Sequence, residues 1–199
     1  MAGTDPRPRP VREAVVWDPL LRVFHWSLAF FVILGWCLGQ FGPAKMTLHF
    51  WCGYVVAGLL IFRLVWGFVG PPEARFAQFL RGPGAVSGYM RGMLMREPSY
   101  WPGHNPLGAL SVIAMLAILA AQVTSGLISD PDDYINVGPL AGYVAPSMRS
   151  KAVGWHEFGA NLVLILVLLH VAVILFYRFW KREDLVRPML TGRKRVRDR

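Results

Sequence analysis

The chain has 199 residues, 54% of them hydrophobic and only 17% charged, a balance more apolar than that of an ordinary water-soluble domain. Its formal charge of +9 would suggest nucleic acid in a soluble protein, but the basic residues flank apolar stretches and crowd the tail. That distribution points to membrane lipid and excludes nucleic acid as the expected partner.

The first twenty residues mix proline and arginine, with no apolar core leading to a cleavage site, so they are no secretory signal. The first apolar stretch is therefore expected to serve as both targeting signal and anchor. It runs over 23–42 and closes at Gly42-Pro43. The second covers 49–69 and stops at Gly70-Pro71-Pro72, since proline cannot continue a helix without losing a hydrogen bond. The third, 107–128, opens after Asn105-Pro106 and ends at Ser129-Asp130-Pro131; the fourth covers 157–177.

Each stretch supplies about the 20 helical residues needed to cross roughly 30 Å of hydrocarbon. Unbroken apolar runs exclude alternating barrel strands. The expected fold is all-α, an integral membrane four-helix bundle over 23–177, between an N-terminal segment 1–22 and a basic tail 178–199. The connection from Gly70 to Asn105 mixes Arg with Phe, Tyr and Met, and part of it reads as an amphipathic segment lying on the membrane surface. Trp26, Trp51, Trp66, Trp101, Trp155 and Trp180 near the helix ends read as an interfacial belt.

Eighteen of the Lys and Arg residues fall in the two end segments and the second connection; Lys45, Arg149 and Lys151 alone fall in the other two. By the positive-inside rule both termini of the multi-pass chain are cytoplasmic.

The five histidines carry the chemistry, because ionisable groups at membrane depth are costly and usually functional. His156 and His170 lie 14 residues apart on the fourth stretch. At about 100° and 1.5 Å per residue they share a face and sit about 21 Å apart in depth. His25 opens the first stretch level with His170, and His49 opens the second level with His156. Two imidazoles on opposite sides of one iron make a low-spin, electron-transferring porphyrin centre. The pattern therefore predicts two bis-histidine haem b groups, an inner one on His25 and His170 and an outer one on His49 and His156.

The same 14-residue step leads from His25 to Gly39 and from His49 to Arg63. Gly39, and Gly53 one turn past His49, would let the outer macrocycle approach the backbone. Arg63 would either pair with an inner propionate or snorkel to the interface. His104 is a helix cap or interfacial contact, or else a propionate or quinone contact. Cys37 and Cys52 form neither CxxC nor CxxCH, which argues against c-type haem and iron–sulfur clusters; they read as packing residues, with a disulfide between them the other option. Asp130, Asp132 and Asp133 make an outer acidic turn, either solvated or a docking patch.

RVFHW on the first stretch, LHFWCGY on the second and WHEFGANLVLILVLLH on the fourth, with FRLVWGFVGPPEARF and GHNPLGALS, resemble the bacterial cytochrome b561 family. The likeness covers nearly the whole chain and is greatest to the branch similar to the cytochrome b subunit of nickel–iron hydrogenases. It implies a four-helix membrane anchor with two haems b, moving electrons between a periplasmic donor and the quinone pool. The family's haem ligands map onto His25, His49, His156 and His170, and it carries an arginine matching Arg63. The arginine-rich ends are less typical and leave the redox partner open among a hydrogenase, a c-type cytochrome and another dehydrogenase. Two rival readings stand beside this one. A haem-free transporter or assembly subunit would use the histidines as a proton relay, and an anchor would chiefly dock a soluble redox enzyme.

Overall fold

The computed structural model describes residues 11–101 and 103–197; the first ten residues, which include Arg7 and Arg9 of the expected N-terminal segment, lie outside it, as does Arg199. Strand β1 (Val11–Val15) leads into helix α1 (Pro19–Phe41). Asp18 caps α1 by accepting from the Leu21 amide at 3.0 Å, and Pro19 supplies a first-turn residue with no amide hydrogen to satisfy. Helix α2 (Thr47–Val69) stops at Gly70, as the following prolines require. A 3₁₀ turn (Pro72–Ala74), the short α3 (Phe76–Phe79) and α4 (Pro83–Arg91) fill the long connection.

Helix α5 (Pro106–Ile128) is capped by Asn105, whose side chain accepts from the Gly108 amide at 2.8 Å. A second 3₁₀ turn (Ala141–Tyr143) precedes α6 (Pro146–Phe179), which is followed by α7 (Val186–Thr191) and β2 (Arg193–Arg197). Helix α6 begins 11 residues before the expected span, because Pro146 starts a polar first section that the apolar pattern does not reveal.

Four helices, α1, α2, α5 and α6, are long and apolar enough to cross a membrane. They pack as two hairpins, α1 with α2 and α5 with α6, joined through α2 and α5. Phe30, Ile33, Leu64, Phe68, Ile165 and Leu168 point outward, as side chains do when lipid is the solvent. Asn136 ties the two hairpins at one end, donating to the Ala44 carbonyl at 2.8 Å and accepting from the Met46 amide at 3.0 Å.

The chain is mostly rather than wholly helical, which corrects the all-α expectation. Strands β1 and β2 pair antiparallel, with Val11 opposite Arg197 and Val15 opposite Arg193. The charged residues of both segments disguise a strand pattern, and partners at the two ends of the chain leave no local signal. The ribbon closes over a small core of Val16, Trp17, Leu21, Phe24, Ala74 and Val196. Burying each large apolar side chain there contributes about 1.5–3 kcal/mol. Beneath the ribbon Lys194 and Glu183 form a buried ion pair at 2.9 Å, and Ser99 donates to Glu183 from its amide at 2.7 Å and its hydroxyl at 2.8 Å.

The expected surface segment is α4, which turns only Val86 and Tyr89 inward. Lys181 holds the loop after it by donating to the Met93 and Met95 carbonyls, and Trp180 donates to Leu94. Trp26 and Trp66 likewise bond within this end of the molecule, to the Met189 carbonyl and the Asp18 carboxylate.

Candidate functional site

Four of the five histidines meet in two pairs. His25 of α1 faces His170 of α6 with ring centroids 6.3 Å apart and planes at 50°. His49 of α2 faces His156 of α6 at 5.8 Å and 86°. Both α6 rings lie on one helix, so the pairs are separated by about 21 Å along it. No group of three or more His, Cys, Asp or Glu residues able to hold a metal ion occurs among the described residues.

A porphyrin iron sets a clear geometric demand. With metal–imidazole bonds of about 2 Å on opposite faces, the two ring centroids fall about 6 Å apart. Both pairs meet that demand.

The His49–His156 pair is prepared in further detail. The Nδ1–H of His49 donates to the Gly35 carbonyl at 2.8 Å, and that of His156 to the Gln122 carbonyl at 3.0 Å. A carbonyl only accepts, so each Nδ1 carries the proton and each Nε2 keeps its lone pair for a metal. Both rings line a cavity of about 330 Å³, with Gly35, Gly39, Gly53, Gln122 and Gly126 in a mostly apolar wall that also holds Asp133 and Glu157. Gly39 serves the histidine directly, since a Cβ there would come within 3.3 Å of the His49 ring. Gly53 opens on empty space, with nothing within 4 Å of the position a Cβ would take. At the His25–His170 pair, His25 Nδ1 is buried with no hydrogen-bond partner among the described residues.

Arg63 does not snorkel. It is 2% exposed, and its guanidinium lies 4.5 Å from the Phe76 ring centroid while donating to the Ala74 carbonyl at 3.0 Å. Its Nη1 has no hydrogen-bond partner among the described residues. That leaves a buried donor available for an anion, and desolvation makes such a donor costly to leave unpaired.

His104 is not the helix cap, a place Asn105 takes. Its ring sits between Trp17, at 4.7 Å, and Phe79, at 4.9 Å, with a buried Nδ1 that has no hydrogen-bond partner among the described residues. Burial, reinforced by the charges of Arg63 and Lys194, pushes its pKa down to about 3, so the imidazole is uncharged at physiological pH. Cys37 and Cys52 are both free thiols, Cys37 exposed and Cys52 buried in the helix packing.

The sequence reading did not find the carbonyl acceptors on Gly35 and Gln122. A glutamine in the middle of an apolar stretch was the available signal, because a polar side chain at that depth seeks a partner.

Residues 16–192 match the pattern of the prokaryotic cytochrome b561 family. The chain is 26% identical to the probable Ni/Fe-hydrogenase B-type cytochrome subunit of Rhizobium leguminosarum bv. viciae, over 94% of this chain and 92% of that one. It is 25% identical to the subunit of the same description from Azotobacter vinelandii, over 92% and 89%. The probable Ni/Fe-hydrogenase 1 B-type cytochrome subunit of Escherichia coli K12 is 21% identical, over 89% and 88%. With the family pattern spanning nearly its whole length and four apolar helices to cross the bilayer, the chain belongs to the prokaryotic cytochrome b561 family and is a multi-pass electron-transfer protein of the bacterial inner membrane.

Proposed function

We propose that this protein is a di-haem b-type cytochrome that carries electrons across the inner membrane between a periplasmic redox partner and the quinone pool, with both termini in the cytoplasm. The observation that carries the reading is the meeting of two histidine pairs, at 6.3 and 5.8 Å, near opposite ends of the bundle. Bound iron porphyrins would supply reversible one-electron chemistry.

The chain's own residues do the rest. His25 and His170 hold the inner group, and His49 and His156 the outer one. Carbonyl acceptors fix the outer imidazoles in the ligand-ready tautomer. Gly39 makes room for the His49 ring, and Gly53 leaves the adjoining space open to a macrocycle. Arg63 offers its Nη1, unpartnered among the described residues, to an inner propionate, whose charge would otherwise be buried alone. The mostly apolar wall of the outer cavity would limit the solvent rearrangement that accompanies a change of charge there.

The names of the relatives favour a nickel–iron hydrogenase as the periplasmic partner over a c-type cytochrome or another dehydrogenase. The basic inner connections and tail favour the cytoplasmic placement of the ends.

A pyridine haemochrome assay on the purified, quantified protein tests the reading: two b-type haems per chain are expected, and none would overturn it in favour of a haem-free relay. His170→Ala is expected to remove chiefly the inner haem and His156→Ala chiefly the outer. Equal loss of both haems in either variant would overturn the pairing.

A further inference from the structure

Helix α5 contains no histidine, yet it makes the closest polar contacts to one outer ligand. Besides the Gln122 carbonyl, the Ser125 hydroxyl lies 3.3 Å from His156 Nδ1 and itself donates to the Gln122 carbonyl at 2.9 Å. The imidazole N–H is therefore shared between two acceptors on consecutive turns of one helix. The Gln122 side chain adds a third tie by donating from Nε2 to the His156 backbone carbonyl at 2.9 Å.

Two glycines make this approach possible, one from each helix. A Cβ on Gly126 would stand 2.8 Å from His156 Cε1, and one on Gly159 would stand 2.1 Å from Gln122 Oε1. The His156 ring thus rests on bare α5 backbone while the Gln122 amide rests on bare α6 backbone. Each helix locks the other's rotation at the depth of the outer site.

We propose that Gln122, Ser125 and Gly126 of α5 are positioning residues for the outer haem: they set the tautomer and ring angle of His156 and hold that haem's reduction potential down. The inference rests on the di-haem reading above. Its physical basis is that an imidazole donating its distal N–H is a stronger electron donor to the metal, which favours the ferric state. His25 of the inner pair, whose Nδ1 has no acceptor among the described residues, gives an internal comparison.

Redox titration of the purified full-length protein, with ferric low-spin spectra, tests the proposal, the outer signal being the one that His156→Ala abolishes. Ser125→Ala removes one of the two acceptors. It is expected to move the outer midpoint potential upward and leave the inner one in place, with both haems retained; Ser125→Thr, which keeps the hydroxyl, should restore it. Gly126→Ala forces the ring to turn and should change the outer low-spin signal, which depends on the angle between the two imidazoles. Ser111→Ala, far along the same helix where the hydroxyl lies 3.9 Å from Met115 Sδ, is the control and should change neither signal. If Ser125→Ala keeps two haems with both potentials unmoved, or shifts both equally, the positioning role is overturned while the cytochrome reading stands. A parent protein without haem would overturn both.

Discussion

Glu183 shows how a single charge can hold two remote segments. Burial by itself pushes its carboxyl up, but Lys194 and the two Ser99 donors outweigh burial and hold it below the usual carboxylate range. The folded pKa therefore lies beneath the unfolded value of about 4.3. The stabilisation is present above that value and is lost as pH falls through the folded pKa. Acidification below the usual carboxylate range is accordingly expected to loosen the ribbon, readable as faster proteolysis within β2. Glu183→Ala should produce the same looseness at neutral pH, since stranding a buried charge costs about 3–5 kcal/mol; a tail equally resistant in that variant would count against the pair.

At this scale the sequence was informative wherever periodicity alone fixes geometry. The 14-residue step and the predicted depths of the histidines bring His25 to His170 and His49 to His156 before any helix packing is known. Arg63 was only half legible, because its partners Ala74 and Phe76 come from a connection whose path periodicity does not set. The acceptors for His156 were hidden for a related reason: they are backbone carbonyls and small side chains, defined by how closely two helices approach.

Among the elements, the four spans follow from length, apolarity and the Gly-Pro stops, and their observed ends lie within a few residues of those expected, except where α6 starts. The ribbon did not announce itself, and it depends on one backbone position. Gly192 ends α7 at φ +81, donates to the Pro188 carbonyl and accepts through its own carbonyl from the amides of Val16 and Trp17. An L-residue in that left-handed conformation costs about 1–2 kcal/mol, and a Cβ would also press to 2.7 Å from the Trp17 carbonyl oxygen. Gly192→Ala should therefore detach β2 from β1, seen as protease-sensitive ends, while the spans and their haem spectrum persist. A variant as protease-resistant as the parent would show that the turn has another solution.

For the whole molecule, an even number of crossings puts both ends on one side, and the ribbon brings them into contact there. The proposed side can be read directly in cells. With Cys37 and Cys52 replaced by alanine, Tyr134→Cys, at a position 96% exposed at the opposite end, should react with an impermeant maleimide in intact spheroplasts. Arg195→Cys should react only after lysis. The reverse pattern would invert the proposed orientation.

The pairing of residues 11–15 with 193–197 also has a consequence for biogenesis. The ribosome delivers the first strand long before its mate, so β1 must wait, its edge unsatisfied, while four helices enter the bilayer. Such distant pairings form late because loop closure precedes any reward from contact. Closure of the ribbon would then report that all four spans and β2 have emerged, and a chain broken off before β2 would keep an open edge for quality-control proteases to find.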